Sequence, residues 1–214
     1  MKIIVLIVVF LLTLILNLFS QGEQGFIQSA YDAIQSKDYE KAVEFYTKAI
    51  ARQPKYAPSY YGRGLAKTYL EEYKSAIDDF SKAVEINSNY HEAYYSRGLC
   101  HINLGEYSAA ENDFKKAVNI DPSVAKYYYA LANSYYYQER DDDALVYYTK
   151  AIEKDPDLGL AYYGCAVIHK LNKRLDAALQ DFKKYIDLNG NKDGLASEVE
   201  RLMNEIRQDK LEQE

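Results

Sequence analysis

Apolar and small residues recur along this chain at a fixed interval of 34 residues, without a single insertion. Four columns have this interval: Ala42, Ala76, Ala110, Ala144 and Ala178; Tyr46, Phe80, Phe114, Tyr148 and Phe182; Phe26, Tyr60, Tyr94, Tyr128 and Tyr162; and Ala30, Gly64, Gly98, Ala132 and Ala166. Apolar residues three and four positions apart lie on one face of a helix, so each interval predicts a helix–turn–helix unit. First helices are expected near 24–36, 57–70, 91–104, 125–138 and 159–172, and second helices near 39–51, 73–86, 107–119, 141–153 and 175–188.

Each column has a physical role in a pair of packed helices. A small residue on the first helix, such as Gly64, lets the second helix approach closely. The aromatic residue four positions earlier, Tyr60, is expected to pack inward and fill the space between the two helices. A turn column follows each second helix: Pro54, Ser88, Pro122, Pro156 and Gly190. Proline ends a helix because it lacks the N–H group and disfavours a helical residue before it.

A 34-residue period with aromatic, small, Ala, aromatic and Pro positions in this order resembles the tetratricopeptide repeat family. The resemblance covers residues 21–192 as five repeats: 23–56, 57–90, 91–124, 125–158 and 159–192. It implies an all-α right-handed solenoid whose concave wall is built from the first helices. Ser29, Ala33, Tyr185 and Gly190 depart from the family pattern, and they lie in the first and last repeats, which are expected to be atypical.

Residues 193–214 are expected to form a capping helix. Leu195, Val199, Leu202 and Ile206 are spaced four, three and four apart, and this apolar stripe would cover the exposed face of the fifth repeat. A partner-binding amphipathic helix is the alternative function of this segment.

The first twenty residues are a separate segment. Lys2 is their only charge, and the apolar run that follows has the layout of a signal peptide. Residues 3–19 are also close to the length of a membrane-spanning helix, so an uncleaved N-terminal anchor is the alternative. Both interpretations predict that the repeats are exported to the periplasm or the extracellular space, because Lys2 should stay in the cytoplasm.

The composition excludes several classes of function. The formal net charge of −6 disfavours nucleic acid as a partner, because affinity for phosphates depends on Lys and Arg. Cys100 and Cys165 form no metal-binding motif, and we expect both to be small buried hydrophobes, with no cofactor and no metal site. His101 and His169 are expected to have structural roles, and the heads of Arg63 and Arg97 to remain solvated. The absence of a nucleophile–base pair or a glycine-rich phosphate loop predicts that the protein is not an enzyme.

The predicted function is a scaffold that binds an unidentified protein or peptide. By the resemblance, repeat positions 5, 9 and 13 of the first helices face the concave groove. The candidate residues at these positions are Tyr61, Tyr69, Tyr95, Asn103, Tyr129, Asn133, Tyr137 and Tyr163. Tyrosine offers a flat face and one hydroxyl at low entropic cost, and asparagine could bond the backbone of an extended peptide or partner helix. Glycan binding in the cell envelope and self-association are the alternative functions, and the oligomeric state stays open.

Overall fold

The computed structural model describes residues 25–190 and 194–211 of the chain. These residues form eleven helices and no strand, which confirms the all-α fold class. The helices are α1 (25–35), α2 (Tyr39–Arg52), α3 (Ala57–Tyr69), α4 (Tyr73–Ile86), α5 (His91–Asn103), α6 (Tyr107–Ile120), α7 (Ala125–Tyr136), α8 (Asp141–Lys154), α9 (Gly159–Leu171), α10 (Leu175–Asn189) and α11 (Ala196–Leu211). The predicted signal or anchor segment, 1–20, lies outside the described residues. None of the described helices is both long enough and apolar enough to span a bilayer.

The turn inside each repeat uses one left-handed residue at the same repeat position. These residues are Lys37, Glu71, Gly105, Glu139 and Lys173, with φ between 56° and 74°. The amide that follows Glu71, that of Glu72, bonds back to the carbonyl of Lys67 at 2.9 Å, which satisfies an orphan carbonyl at the end of α3. Four of the five residues are not glycine, so the residue types in the sequence did not predict the left-handed conformation of this turn.

The described helices form two compact units, with the boundary after Leu104. The N-terminal unit contains α1–α5, in which α2 packs on α3 and α4 packs between α3 and α5. Its alanine column is fully buried, as Ala42 and Ala76 show. A Cβ atom at Gly64 would lie 2.7 Å from the ring of Phe80, so the small residue is required for the close approach of α3 and α4.

The C-terminal unit contains α6–α11. Its last helix covers the end of the fifth repeat, because Val199 and Ile206 are fully buried against a cluster that includes Phe182 and Tyr185. The ammonium of Lys170 lies 2.8 Å from the Glu205 carboxylate, and Lys210 pairs with Asp176. These interactions confirm the capping role predicted for the apolar stripe.

Candidate functional site

The candidate residues of the N-terminal unit mostly contact other residues of that unit. The Tyr61 ring lies 4.9 Å from the Tyr90 ring and 5.8 Å from the Phe80 ring, between centroids. Tyr69 is 60% exposed and stacks on Tyr39 at 4.6 Å. These ring contacts all lie within the N-terminal unit.

Tyr95 and Asn103, the other two candidates of the N-terminal unit, lie on α5. The Asn103 side chain donates to the carbonyl of Leu99 in its own helix, at 2.9 Å. This bond uses one N–H group of the Asn103 side chain, which was predicted to bond a peptide. Tyr95 is half-buried.

The candidate residues of the C-terminal unit surround one pocket of about 250 Å³, which we call the tyrosine pocket. Tyr129, Asn133, Tyr137 and Tyr163 are all among its lining residues. The other lining residues are Tyr136, Tyr148, Leu160, Gly164 and Val167. Helices α7, α8 and α9 therefore all contribute to this pocket, and four predicted positions meet there.

A hydrogen bond and a glycine hold the floor of the tyrosine pocket. The Tyr148 hydroxyl donates to Asn133 Oδ1 at 2.5 Å, and the Tyr129 hydroxyl is also hydrogen-bonded to Asn133. A Cβ atom at Gly164 would lie 2.5 Å from the Tyr148 ring, so only glycine leaves room for that ring against α9. The side chains are thus positioned by contacts that exist before any ligand binds.

The pocket offers aromatic faces and neutral hydroxyls. Burial raises the pKa of Tyr129, Tyr148 and Tyr163 above the ordinary value of 10.0, so these hydroxyls stay protonated at neutral pH. No lining residue is charged. In the described ranges, no cluster of His, Cys, Asp and Glu could hold a metal ion. Such a pocket can bind a ligand through contact with its aromatic ring faces and through hydrogen bonds to its hydroxyls.

The two rings of each Tyr-Tyr pair, at 60–61, 94–95, 128–129 and 162–163, divide between interior and groove only in part. The first ring was expected to pack inward, and Tyr128 does so at 8% exposed, whereas Tyr60 is half-buried and its hydroxyl donates to the carbonyl of Pro54 at 3.1 Å. Tyr128 makes the same bond to Pro122 at 3.2 Å. The second ring also packs on the second helix of its own repeat, as the 5.8 Å distance between Tyr129 and Tyr148 shows. The first ring therefore fastens the junction between repeats.

Sequence reasoning missed Tyr136, Tyr148 and Gly164 as parts of the pocket. Tyr148 was assigned to the core column, and it is indeed 3% exposed, but it also forms the pocket floor. The signal that could have found it is a glycine at repeat position 6, opposite a tyrosine of the preceding second helix. Gly62 has the same arrangement, because its Cβ atom would lie 2.3 Å from Tyr46.

A second set of aligned positions contains buried charges, at repeat positions 7, 11 and 23. In the second repeat these are Arg63, Lys67 and Asp79. Arg63 donates to both carboxylate oxygens of Asp79, at 2.6 and 2.9 Å, and the Lys67 ammonium lies 2.8 Å from the same carboxylate. The Arg63 side chain is 18% exposed and that of Asp79 is 5% exposed, so the prediction of a solvated Arg63 head is wrong. The acidic partner sixteen residues away draws the guanidinium inward.

The fifth repeat has Cys165, His169 and Asp181 at the same three positions. His169 Nε2 lies 3.7 Å from Asp181 Oδ2. Burial raises the pKa of Asp181 to about 6, and burial together with Arg174 lowers the pKa of His169. Burial raises the pKa of the Cys165 thiol to about 12, so it stays protonated and is a poor nucleophile.

Comparisons with known proteins support the fold. Family models described as tetratricopeptide repeat match residues 29–56, 57–90, 91–124 and 125–158. No curated protein matches the chain.

Three solved structures illustrate the likeness. MamA 41-end from Desulfovibrio magneticus RS-1 is 19% identical with a TM-score of 0.74, covering 80% of this chain and 97% of its own. YrrB, described as a TPR protein with an unusual peptide-binding site, is 23% identical with a TM-score of 0.70, covering 86% and 97%. A tetratricopeptide repeat protein from Parabacteroides merdae is 18% identical with a TM-score of 0.76, covering 87% and 74%. Identities this low establish a shared fold.

Proposed function

The chain belongs to the tetratricopeptide repeat family, and from that premise we propose that it is a non-enzymatic scaffold that binds an extended peptide or a partner helix at the tyrosine pocket. The observation that supports this proposal most is the meeting of Tyr129, Asn133, Tyr137 and Tyr163 around one pocket. Repeat positions alone predict these four residues as groove-facing, independently of the pocket that they line.

The properties of the pocket suit protein recognition. Tyr137 is 47% exposed, so a partner can reach its ring, whereas Tyr148 and Asn133 hold the floor in place. Rigid aromatic side chains lose little conformational freedom on binding, which is why tyrosine is common at interaction surfaces. The fold of YrrB, a protein described as having a peptide-binding site, is compatible with this use.

Export of the protein remains part of the proposal. It depends on the apolar segment of residues 1–20, which the structure does not describe. Either a cleaved signal peptide or an anchor would place the tyrosine pocket outside the cytoplasm.

Selection from a random peptide library displayed on phage would test the proposed function. The full-length protein is the bait, and the affinity of selected peptides is measured by fluorescence anisotropy. Tyr137→Leu should weaken the selected peptides about tenfold, because a central aromatic contact is lost. Tyr69→Leu is the matched control, since Tyr69 has the same repeat position and the same exposed ring but lies outside the pocket.

Two outcomes would contradict the proposal. One is that the library yields no peptide that binds in solution, and the other is that both variants weaken binding equally. A parallel titration with cell-wall glycan fragments tests the alternative function. Binding of these fragments that is lost in Tyr137→Leu, with no peptide selected, would favour a glycan-binding protein.

A further inference from the structure

We infer that the tyrosine pocket takes a cationic side chain, so that the partner segment is a basic peptide with Lys or Arg at its anchoring position. This inference rests on the proposed function and adds the chemistry of the partner to it. It follows from the ring geometry, from the use of other tyrosine rings in the same unit, and from the distribution of charge.

The rings around the pocket stand at angles to one another, as the walls of a cage do. Tyr129 and Tyr148 are tilted by 47° with centroids 5.8 Å apart, and Tyr136 and Tyr137 by 57° with centroids 5.9 Å apart. Tyr163 adds a wall from α9. The face of an aromatic ring has negative electrostatic potential, which attracts a cation placed over it.

Other tyrosine rings of the C-terminal unit already have a cation of the chain over them. The Arg140 guanidinium lies 4.3 Å from the centroid of Tyr135, and the Lys150 ammonium lies 4.7 Å from that of Tyr147. Within the described ranges, no lysine or arginine lies over any of the five rings of the tyrosine pocket. No cation of the described residues therefore competes with a partner for these rings, of which Tyr137 is the exposed one, with one face stacked on Tyr107.

The charges near the pocket disfavour an anion. The lining has no basic residue. Burial, and to a smaller extent the negative charge of Glu198 on α11, raises the pKa of the Tyr163 hydroxyl. Lys170 and Arg201, whose positive charges act on Glu198, are themselves bound to Glu205 and Glu198. A carboxylate or phosphate would therefore lose its water without gaining a positive partner.

The two units differ in charge. Residues 1–104 contain 11 acidic and 11 basic residues, whereas residues 105–214 contain 21 acidic and 15 basic ones. The formal net charge of −6 therefore lies in the half of the chain that contains the pocket. Attraction between this half and a basic peptide raises the rate of association, and it decreases as salt increases.

The size of the pocket indicates one side chain rather than a whole small molecule. Its volume is about 250 Å³. Sites for drug-sized ligands and cofactors usually occupy about 300–1,000 Å³. The guanidinium of arginine, or the ammonium of lysine, would enter the pocket while the rest of the peptide stays on the surface.

Two small probes of the same shape test the inference. N-butylguanidinium chloride is the cation and N-butylurea is its neutral counterpart. Each is titrated into the full-length protein, purified in a non-ionic detergent, and followed by the amide NMR signals of the pocket residues. We expect the guanidinium to bind at least about fivefold more tightly than the urea, as a cation over aromatic faces would.

Paired variants show whether the pocket is responsible. Tyr137→Leu removes one exposed ring and should abolish the preference for the cation, while circular dichroism confirms that the helices remain. Tyr69→Leu makes the same change at the same repeat position of the N-terminal unit and should leave the preference intact. A second pocket variant, Tyr136→Leu, guards against an effect peculiar to position 137.

The outcomes separate this inference from the proposed function. If the urea shifts the same signals with equal or higher affinity, the preference for a cation is wrong, although the pocket remains a binding site. If neither probe shifts pocket signals, the inference is also overturned. The peptide selection described above then decides the proposed function independently.

Discussion

Tyr69 and Tyr137 occupy the same repeat position in the two units, yet their surroundings differ. Each ring is exposed, and each stacks on a tyrosine of the second helix of the preceding repeat, Tyr39 for Tyr69 and Tyr107 for Tyr137. Tyr137, unlike Tyr69, also lines the tyrosine pocket. The position in the repeat therefore determines which way a side chain points, whereas residues of the neighbouring repeat determine whether that side chain lines a pocket.

The buried charges differ between the units in a similar way. Asp79 has two cations against its carboxylate, and Asp181 has the imidazole of His169 at 3.7 Å. The same fold position is thus a satisfied ionic cluster in the second repeat and an incompletely compensated carboxylate in the fifth. The two acids should respond in opposite directions to the same substitution.

Asp79→Asn should have the largest effect. It leaves Arg63 and Lys67 half-buried without a carboxylate, and breaking a buried ion pair costs about 3–5 kcal/mol. Urea unfolding monitored by circular dichroism measures this loss. A loss below about 1 kcal/mol, the value of an exposed pair, would mean that the cluster is solvated.

Gly164→Ala should have the next largest effect, a loss of about 1–3 kcal/mol, because overpacking moves the Tyr148 ring. The better helix propensity of alanine offsets up to about 1 kcal/mol of this. Gly62→Ala is the matched control, since its Cβ atom would press on Tyr46 in the same manner. Both variants should lose stability, but only Gly164→Ala should lose affinity for pocket ligands. Equal effects on affinity would mean that the pocket shape is not needed.

Asp181→Asn should have a smaller effect of the opposite sign. Its pKa of about 6 lies above the ordinary value of 3.8, so the folded state binds this proton more tightly than the unfolded state. The ionised carboxylate therefore costs stability above pH 6, and the cost disappears as the pH falls towards 4. The side chain is 23% exposed, which reduces the expected gain for Asn to about 1 kcal/mol at pH 8.

The pH dependence checks the sign of this prediction. The difference in unfolding free energy between Asp181→Asn and the wild type should shrink as the pH falls from 8 to 4. A variant that is less stable than the wild type at pH 8 would show that the carboxylate has a favourable partner, such as an N–H group of the neutral His169 ring.

The sequence predicted the fold closely because the relevant signals are periodic. The helix ends lie within about two residues of the predicted ones, since small, aromatic and proline columns have the same role in every repeat. The left-handed residue of each turn was not predictable, because Lys37, Glu71, Glu139 and Lys173 do not favour that conformation by type.

The candidate site was predictable only in part. Repeat positions selected four residues of the tyrosine pocket, but they selected four residues of the N-terminal unit with equal weight. Whether a groove-facing residue lines a pocket depends on interactions between neighbouring side chains. In the N-terminal unit these include the packing of Tyr61 against Tyr90 and the bond from Asn103 to its own helix. A position-by-position pattern has no information on such interactions.

Photo-crosslinking at matched positions tests the central claim most directly. Tyr137 or Tyr69 is replaced with p-benzoylphenylalanine in the full-length protein, and cells are irradiated before the adducts are identified by mass spectrometry. We expect a specific protein adduct from position 137 that is absent from position 69. Equal adducts from both positions, or an adduct from position 69 alone, would contradict the assignment of binding to the tyrosine pocket.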